Sequence, residues 1–266
     1  MQYRQLGNSG LRVSKLCLGT MRGFRAKNRE SAGHIMHAAV DSGVNFVDTA
    51  DCYKESEETV GRILEEENLR REVVLATKFG WYMGRRANDF GAGRKHIIQA
   101  CEDSLRRLRT DYIDLYILHV VDPNAPWEET LGAMDTLIRQ GKVRYFGTSK
   151  HPPAMLVEAQ ATSERLGLNP IVSEQTVYNL LDRTPENQLT WTARRHGIGI
   201  TPFSPLGGGI LSGKYHPGEG APSDSGLSKR TPGEDDQFTE AAVEAVEKLR
   251  PLAKERDVSV AAFSLA

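Results

Sequence analysis

Apolar runs and amphipathic stretches alternate along this chain with a regular beat. Short runs at Lys15–Thr20, Val44–Asp48, Val73–Lys78, Ile113–His119, Val143–Ser149, Ile171–Gln175 and Ile198–Phe203 have the length and residue types of strands. Between them, helical spacing covers Arg29–Ser42, Ser56–Asn68, Arg94–Arg109, Trp127–Gln140, Pro153–Leu166 and Pro185–His196, with Gly43, Gly141, Gly167 and Gly197 as stops. Strand and helix in alternation build a parallel sheet covered by helices. Ahead of the first run, Gln2–Gln5 and Leu11–Ser14 flank Gly7-Asn8-Ser9-Gly10, which predicts a small hairpin placed to plug the bottom of a barrel. Ser204 to about Phe238, rich in Gly, Pro, Ser and Asp, predicts a long functional or mobile loop. Glu240–Arg256 is strongly helical, and Val258–Ala266 begins a further helix-like run. The expected architecture is one α/β domain over residues 1–266, a TIM-type (β/α)8 barrel with an N-terminal β-hairpin. Seven barrel runs are present, so the eighth strand and the C-terminal segment are expected to be lacking.

In a barrel of this kind the loops leaving the carboxyl ends of the strands converge on one mouth, where catalytic groups sit. Asp48, Lys78, His119, Ser149, Gln175 and Phe203 all leave a strand run and would face that mouth. Taken singly, Asp48 reads as a helix-entry cap, Lys78 as a surface charge and His119 as a core histidine. Their shared position at strand exits reverses that reading. A carboxylate beside a lysine keeps the ammonium charged, and an ammonium beside the Tyr53 phenol stabilises the phenolate, so a lowered phenol pKa is expected. A neutral His119 would then orient a carbonyl by hydrogen bonding.

The composition, 39% hydrophobic and 26% charged, suits a globular protein. Thirty-four basic and thirty-five acidic residues leave a net charge of −1, with no basic footprint for nucleic acid or a membrane surface. Met1–Gly10 lacks the features of a secretory signal, and a cytoplasmic location is expected. Cys17, Cys52 and Cys101 read as free thiols. Gly208-x-x-x-x-Gly213-Lys214 falls short of a phosphate loop because Tyr215 follows. His34 and His37 lie three apart on one helix without a third ligand in the sequence nearby, and no metal is expected.

Several motifs together carry a resemblance: Leu18-Gly19-Thr20-Met21, Asp48-Thr49-Ala50 with Tyr53, Thr77-Lys78, Asp111-Tyr112-Ile113-Asp114-Leu115-Tyr116 with His119, Gly141-Lys142-Val143-Arg144 with Gly147 and Ser149, and Ser204-Pro205-Leu206 through Gly213-Lys214. The chain resembles the aldo-keto reductases, NAD(P)H-dependent carbonyl reductases on a (β/α) barrel. The resemblance implies a catalytic set of Asp48, Tyr53, Lys78 and His119, with Tyr53 as proton donor to a small carbonyl substrate lying against Tyr53 and His119; Trp81 and Tyr82, just beyond Lys78, are placed by position either to line the substrate mouth or to pack under a loop. For the cofactor it implies Gly19, Thr20, Met21, Asp48, Ser149, Lys150, Gln175, Phe203, Ser204, Pro205, Leu206, Gly208 and Lys214. Among these, Ser149 and Gln175 would hold the carboxamide, Phe203 would stack on the ring, and Ser204, Leu206 and Gly208 would wrap the pyrophosphate. Lys150 and Phe203 depart from the family's commoner Asn and Tyr. The cofactor implied is NADP(H), with NAD(H) left open because the family's 2′-phosphate segment falls beyond residue 266. Homo-oligomerisation is left open too. An alternative within the family is a cofactor-binding regulatory subunit such as the potassium-channel β subunits, and an alternative on the same barrel makes Lys78 a Schiff-base nucleophile.

Overall fold

The computed structural model describes residues 1–219 and 239–266. Two compact units can be distinguished, Met1–Gln175 with Thr192–Ile200, and Thr176–Trp191 with Thr201–Ala266.

The first unit opens with the expected hairpin, β1 (Tyr3–Gln5) paired antiparallel with β2 (Arg12–Ser14). Its turn is tied by Asn8 N donating to Gly197 O at 2.7 Å, and Gly7 sits there at φ +58°. A Cβ on Gly7 would lie 2.3 Å from Gly197 O and 2.5 Å from Val172 O, so the hairpin can reach the strand ends only through a glycine. Leu6 and Val13 complete a core with Phe46, Ala76, Leu115, Ile117 and Val172, which places the hairpin as the sequence predicted.

A seven-stranded sheet follows in simple sequence order: β3 (Cys17–Gly19), β4 (Phe46–Asp48), β5 (Val74–Phe79), β6 (Ile113–Leu118), β7 (Val143–Ser149), β8 (Ile171–Val177) and β9 (Gly199–Phe203). The registered pairs from β3 to β8 are all parallel, as connections through helices require. The helices between them are α1 (Arg29–Asp41), α2 (Ser56–Glu66), α3 (Arg94–Leu108), α4 (Trp127–Arg139) and α5 (Pro153–Leu166). Pro153 starts α5 at a position where a missing N–H costs nothing, and Gly167 ends it in the left-handed conformation at φ +63°. This is the strand and helix order of the (β/α)8 fold.

Helix α2 is anchored by a buried charge. Glu57 accepts from Thr77 Oγ1 and from Arg107 Nε, both at 2.6 Å, and so joins α2 to β5 and α3 directly behind Lys78. A buried carboxylate survives only when paired and hydrogen-bonded in this way.

One predicted element differs. Pro185–His196 is not one helix but a 3-10 turn at Thr184–Asn187 followed by α6 (Leu189–Arg195). Gln188, at φ −145°, breaks the path, and Pro185 fits the tight first turn that precedes it.

In the second unit, a 3-10 segment at Gly207–Ser212 packs against α7 (Glu240–Glu255) and α8 (Val260–Leu265) through Ile210, Leu211, Tyr215, Ala242, Val243 and Val246. Thr239 caps α7 by accepting from Ala242 N at 3.1 Å, and Arg250 Nη2 donates to Gly213 O at 2.7 Å. The part of the predicted long loop from residue 220 to Phe238 lies outside the described residues. Among the described residues, no helix is long and apolar enough to cross a membrane.

Candidate active site

Lys78 lies near the carboxyl end of β5, fully buried, and its ammonium has three N–H donors to satisfy. The acceptors are Asp48 Oδ2 at 2.5 Å, Thr49 O at 2.8 Å and the Tyr53 hydroxyl at 3.4 Å. Burial works against the ammonium, but the Asp48 carboxylate and then Tyr53 outweigh it and hold Lys78 above the usual lysine range. The other oxygen of Asp48 accepts from Gln175 Nε2 at 3.0 Å, so the carboxylate is fixed from both sides. Asp48 is placed by its strand: its backbone oxygen accepts from Thr20 N at 2.9 Å and Thr20 Oγ1 at 3.0 Å, while Ser56 Oγ locks Thr20 in turn.

Tyr53 follows β4 by one turn, and its ring meets His119 edge-on, with centroids 5.8 Å apart and planes at 79°. The phenol departs from the sequence-based expectation. Lys78 does pull its pKa down, but burial pushes it up by more, and the net direction is above the ordinary value. Tyr53 therefore stays protonated at neutral pH. His119, just beyond β6, is pushed down to about 3, first by burial and then by the Lys78 and Lys150 charges, and is a neutral imidazole. Trp81 lies 5.5 Å from His119 between ring centroids, half exposed, with Lys150 Nζ 5.2 Å above its ring.

Lys78 thus reaches Asp48 and Tyr53, and Tyr53 in turn meets His119, across three neighbouring strands and their exits. A sequence profile described as the aldo/keto reductase family matches residues 15–266. The chain belongs to that family. It is 41% identical over 225 residues to the uncharacterized oxidoreductase YrpG of Bacillus subtilis strain 168, covering 80% of this chain and 69% of that protein. It is 37% identical over 279 aligned positions to a probable voltage-gated potassium channel subunit beta of Oryza sativa subsp. japonica, and equally to one of Arabidopsis thaliana. Each of these matches spans the whole of this chain and 83% of the plant protein.

The remaining expected positions of this aldo/keto reductase divide between the two units. In the first, Ser149 ends β7 in register with Gln175, and its hydroxyl is buried with no hydrogen-bond partner among the described residues. Thr20 spends its polar atoms on the protein, Gly19 and Met21 are exposed, and Lys150 sits at φ +62°. In the second, Phe203 and Leu206 are half-buried, Ser204 and Pro205 are exposed, and Ser204 has φ +52°. Gly207, Gly208 and Gly209 follow at φ +53°, +66° and +107°, a run only glycine tolerates. The Lys214 ammonium comes within 3.6 Å of where a Cβ on Gly209 would lie.

Sequence reasoning also passed over the buried carboxyls of Asp51 and Glu174. Asp51 is pushed up to about 7, chiefly by burial and then by Glu57. Glu174, one residue before Gln175, points to the other face of β8, where it accepts from Thr148 Oγ1 at 2.6 Å and His151 N at 3.0 Å. Burial pushes it up to about 7 against those bonds. A carboxyl that binds its proton more tightly folded than unfolded stabilises the fold below the ordinary pKa of 4.5, and the gain is lost as pH rises to about 7. Glu174→Gln should remove that slope: urea unfolding across this window should show wild type losing about 3 kcal/mol that the variant keeps. Parallel pH profiles for the two proteins would show that Glu174 ionises freely.

Proposed function

We propose that this protein is an NAD(P)H-dependent reductase of aldehydes or ketones, with Tyr53 as the proton donor. The observation that supports this most directly is the Lys78 ammonium fixed between Asp48 and Tyr53. A protonated, partly buried phenol next to a permanent cation can give up its proton because the phenolate left behind is stabilised in place, without reorganisation. Asp48 holds Lys78 in its charged form and in position. The neutral His119 can donate one N–H to a carbonyl oxygen presented to Tyr53, and Trp81 offers an apolar wall beside it. The nicotinamide, when bound, supplies the hydride. In this reading Ser149, Gln175 and Asp48 hold its carboxamide, and the unpartnered buried hydroxyl of Ser149 fits such a group. Within the second unit, Gly207 N and Gly209 N are engaged by Ser204 O and Leu206 O at 2.9 Å, so Ser204, Gly208 and the Lys214 ammonium are the groups left to suit a pyrophosphate.

Carbonyl-dependent oxidation of NADPH and of NADH, followed by absorbance over a panel of aldehydes and ketones, tests the reading. Turnover with either cofactor is the expected result. Tight cofactor binding without turnover on any carbonyl would overturn it. A Schiff base on Lys78 fits poorly with an ammonium whose three donors are all engaged and whose charge the site favours, since the nucleophile must be the neutral amine.

A second reading follows from the plant relatives whose names carry a potassium channel subunit and which match over the full chain. In that reading the protein binds cofactor and acts on a membrane partner. Stoichiometric co-purification with an integral membrane protein, together with slow turnover, would favour it.

A further inference from the structure

The carbonyl reading uses Tyr53 and His119 but leaves unused the two residues that precede Tyr53. Asp51 is only 3% exposed, and neither carboxylate oxygen has a hydrogen-bond partner among the described residues. Its neighbour Cys52 is half-buried, and Cys52 Sγ lies 3.6 Å from His119 Nδ1. One ligand atom each from Asp51, Cys52 and His119 lie within 4.8 Å of one another. A carboxylate, a thiol and an imidazole converging in this way are the donor set of a borderline-soft divalent cation.

We propose that Asp51, Cys52 and His119 form a binding site for zinc or a similar thiolate-seeking divalent cation, and that its occupation reversibly shuts off turnover. The geometry matches the ion. Zinc holds sulfur at about 2.3 Å and imidazole nitrogen at about 2.0 Å in a tetrahedral arrangement, which sets the two ligand atoms about 3.5 Å apart. The observed 3.6 Å between Cys52 Sγ and His119 Nδ1 needs almost no rearrangement, and the Asp51 oxygen, within 4.8 Å of both, closes in by about 1 Å through a side-chain rotation. Both backbone segments are held: Asp51 N donates to Lys78 O at 3.1 Å, and His119 N donates to Phe79 O at 2.8 Å. Charge is met as well. A dication joined to one carboxylate and one thiolate is neutral overall, so the occupied site puts no net charge beside the Lys78 ammonium, which is already bonded to Asp48. Binding forms a metal–sulfur bond, breaks the S–H bond of Cys52 and releases that proton to solvent, together with the Asp51 proton wherever that carboxyl is protonated. No electron is transferred and no oxidant is needed. Three protein ligands leave a fourth position for water.

The loss of turnover rests on the reductase reading above, because the ion would hold the His119 ring by Nδ1 and pin the residue adjacent to Tyr53. Binding itself does not depend on that reading, and the test separates the two. Cobalt(II) titrated into the full chain carrying Cys17→Ser, which removes the exposed thiol, should give a near-ultraviolet thiolate-to-cobalt charge-transfer band that saturates at one equivalent. Adding Cys101→Ser should leave the band in place. Adding Cys52→Ser should abolish it, and Asp51→Asn should weaken cobalt binding by at least about tenfold, as loss of even an outer-shell partner does. Zinc should suppress carbonyl-dependent turnover, with full recovery on addition of EDTA, and Cys52→Ser should resist it. Absence of the band, or its persistence in Cys52→Ser, would overturn the site. A normal band with turnover that zinc does not touch would overturn the regulatory consequence alone, and a normal band with no turnover on any carbonyl would count against the reductase reading while the metal site stands.

Discussion

Tyr53→Phe is expected to lower carbonyl-dependent NAD(P)H oxidation by roughly 100- to 10,000-fold, the range that a positioned proton donor contributes. The substitution removes one oxygen whose described hydrogen bond is the 3.4 Å contact from Lys78. Lys78 keeps Asp48 and Thr49 O, so the site should hold its shape and the fold its stability. Cofactor affinity should therefore stay near wild type while kcat falls, and fluorescence titration with NADPH beside steady-state kinetics reads both. Near-wild-type turnover in this variant would move the acid to another group. The phenol's net shift upward sharpens the expectation, because the group is protonated across neutral pH and the rate should fall only in alkaline solution.

Asp48→Asn is expected to cost more stability than any surface change, because it strands a fully buried ammonium. Lys78 has no exposed surface, and Asp48 is its partner at 2.5 Å. Breaking a buried pair from one side costs about 3–5 kcal/mol, which for a domain of this size lowers the melting temperature by on the order of 10 °C. Calorimetry of the variant reads this directly. The double variant Asp48→Asn with Lys78→Met removes both charges and should recover much of the lost stability, while turnover stays absent. Additive losses in this cycle would mean that the two groups do not interact. The comparison separates the pair's part in the fold from its part in the chemistry.

The strand exits were legible because strand length, helix period and terminating glycines are local signals. Asp48, Ser149 and Gln175 end or nearly end their strands where the pattern put them, and five of the helices between barrel runs begin on the predicted residue. Lys78 lies one residue before the end of β5, a shift within ordinary end fraying. The exception, Pro185–His196, failed because apolar spacing does not register the backbone break at Gln188. Cys52 reads from the sequence only as a free thiol, since nothing there brings it to His119, 67 residues away. Asp51 and Glu174 were passed over because an acidic residue beside a motif is usually exposed, and its burial depends on neighbours remote in sequence.

The sequence by itself determined the family, the order of strands and helices, and which side chains stand at the carboxyl ends of the strands, because each follows from periodicity and short motifs. The tertiary structure decided how those side chains ionise. Desolvation sums over every neighbour a residue acquires on folding, and that sum keeps Tyr53 protonated against the pull of Lys78, leaves His119 neutral, and raises Asp51 and Glu174 to about 7. It likewise decided that Asp51, Cys52 and His119 meet, since only the pairing of β4, β5 and β6 brings the loop after one strand against the end of another.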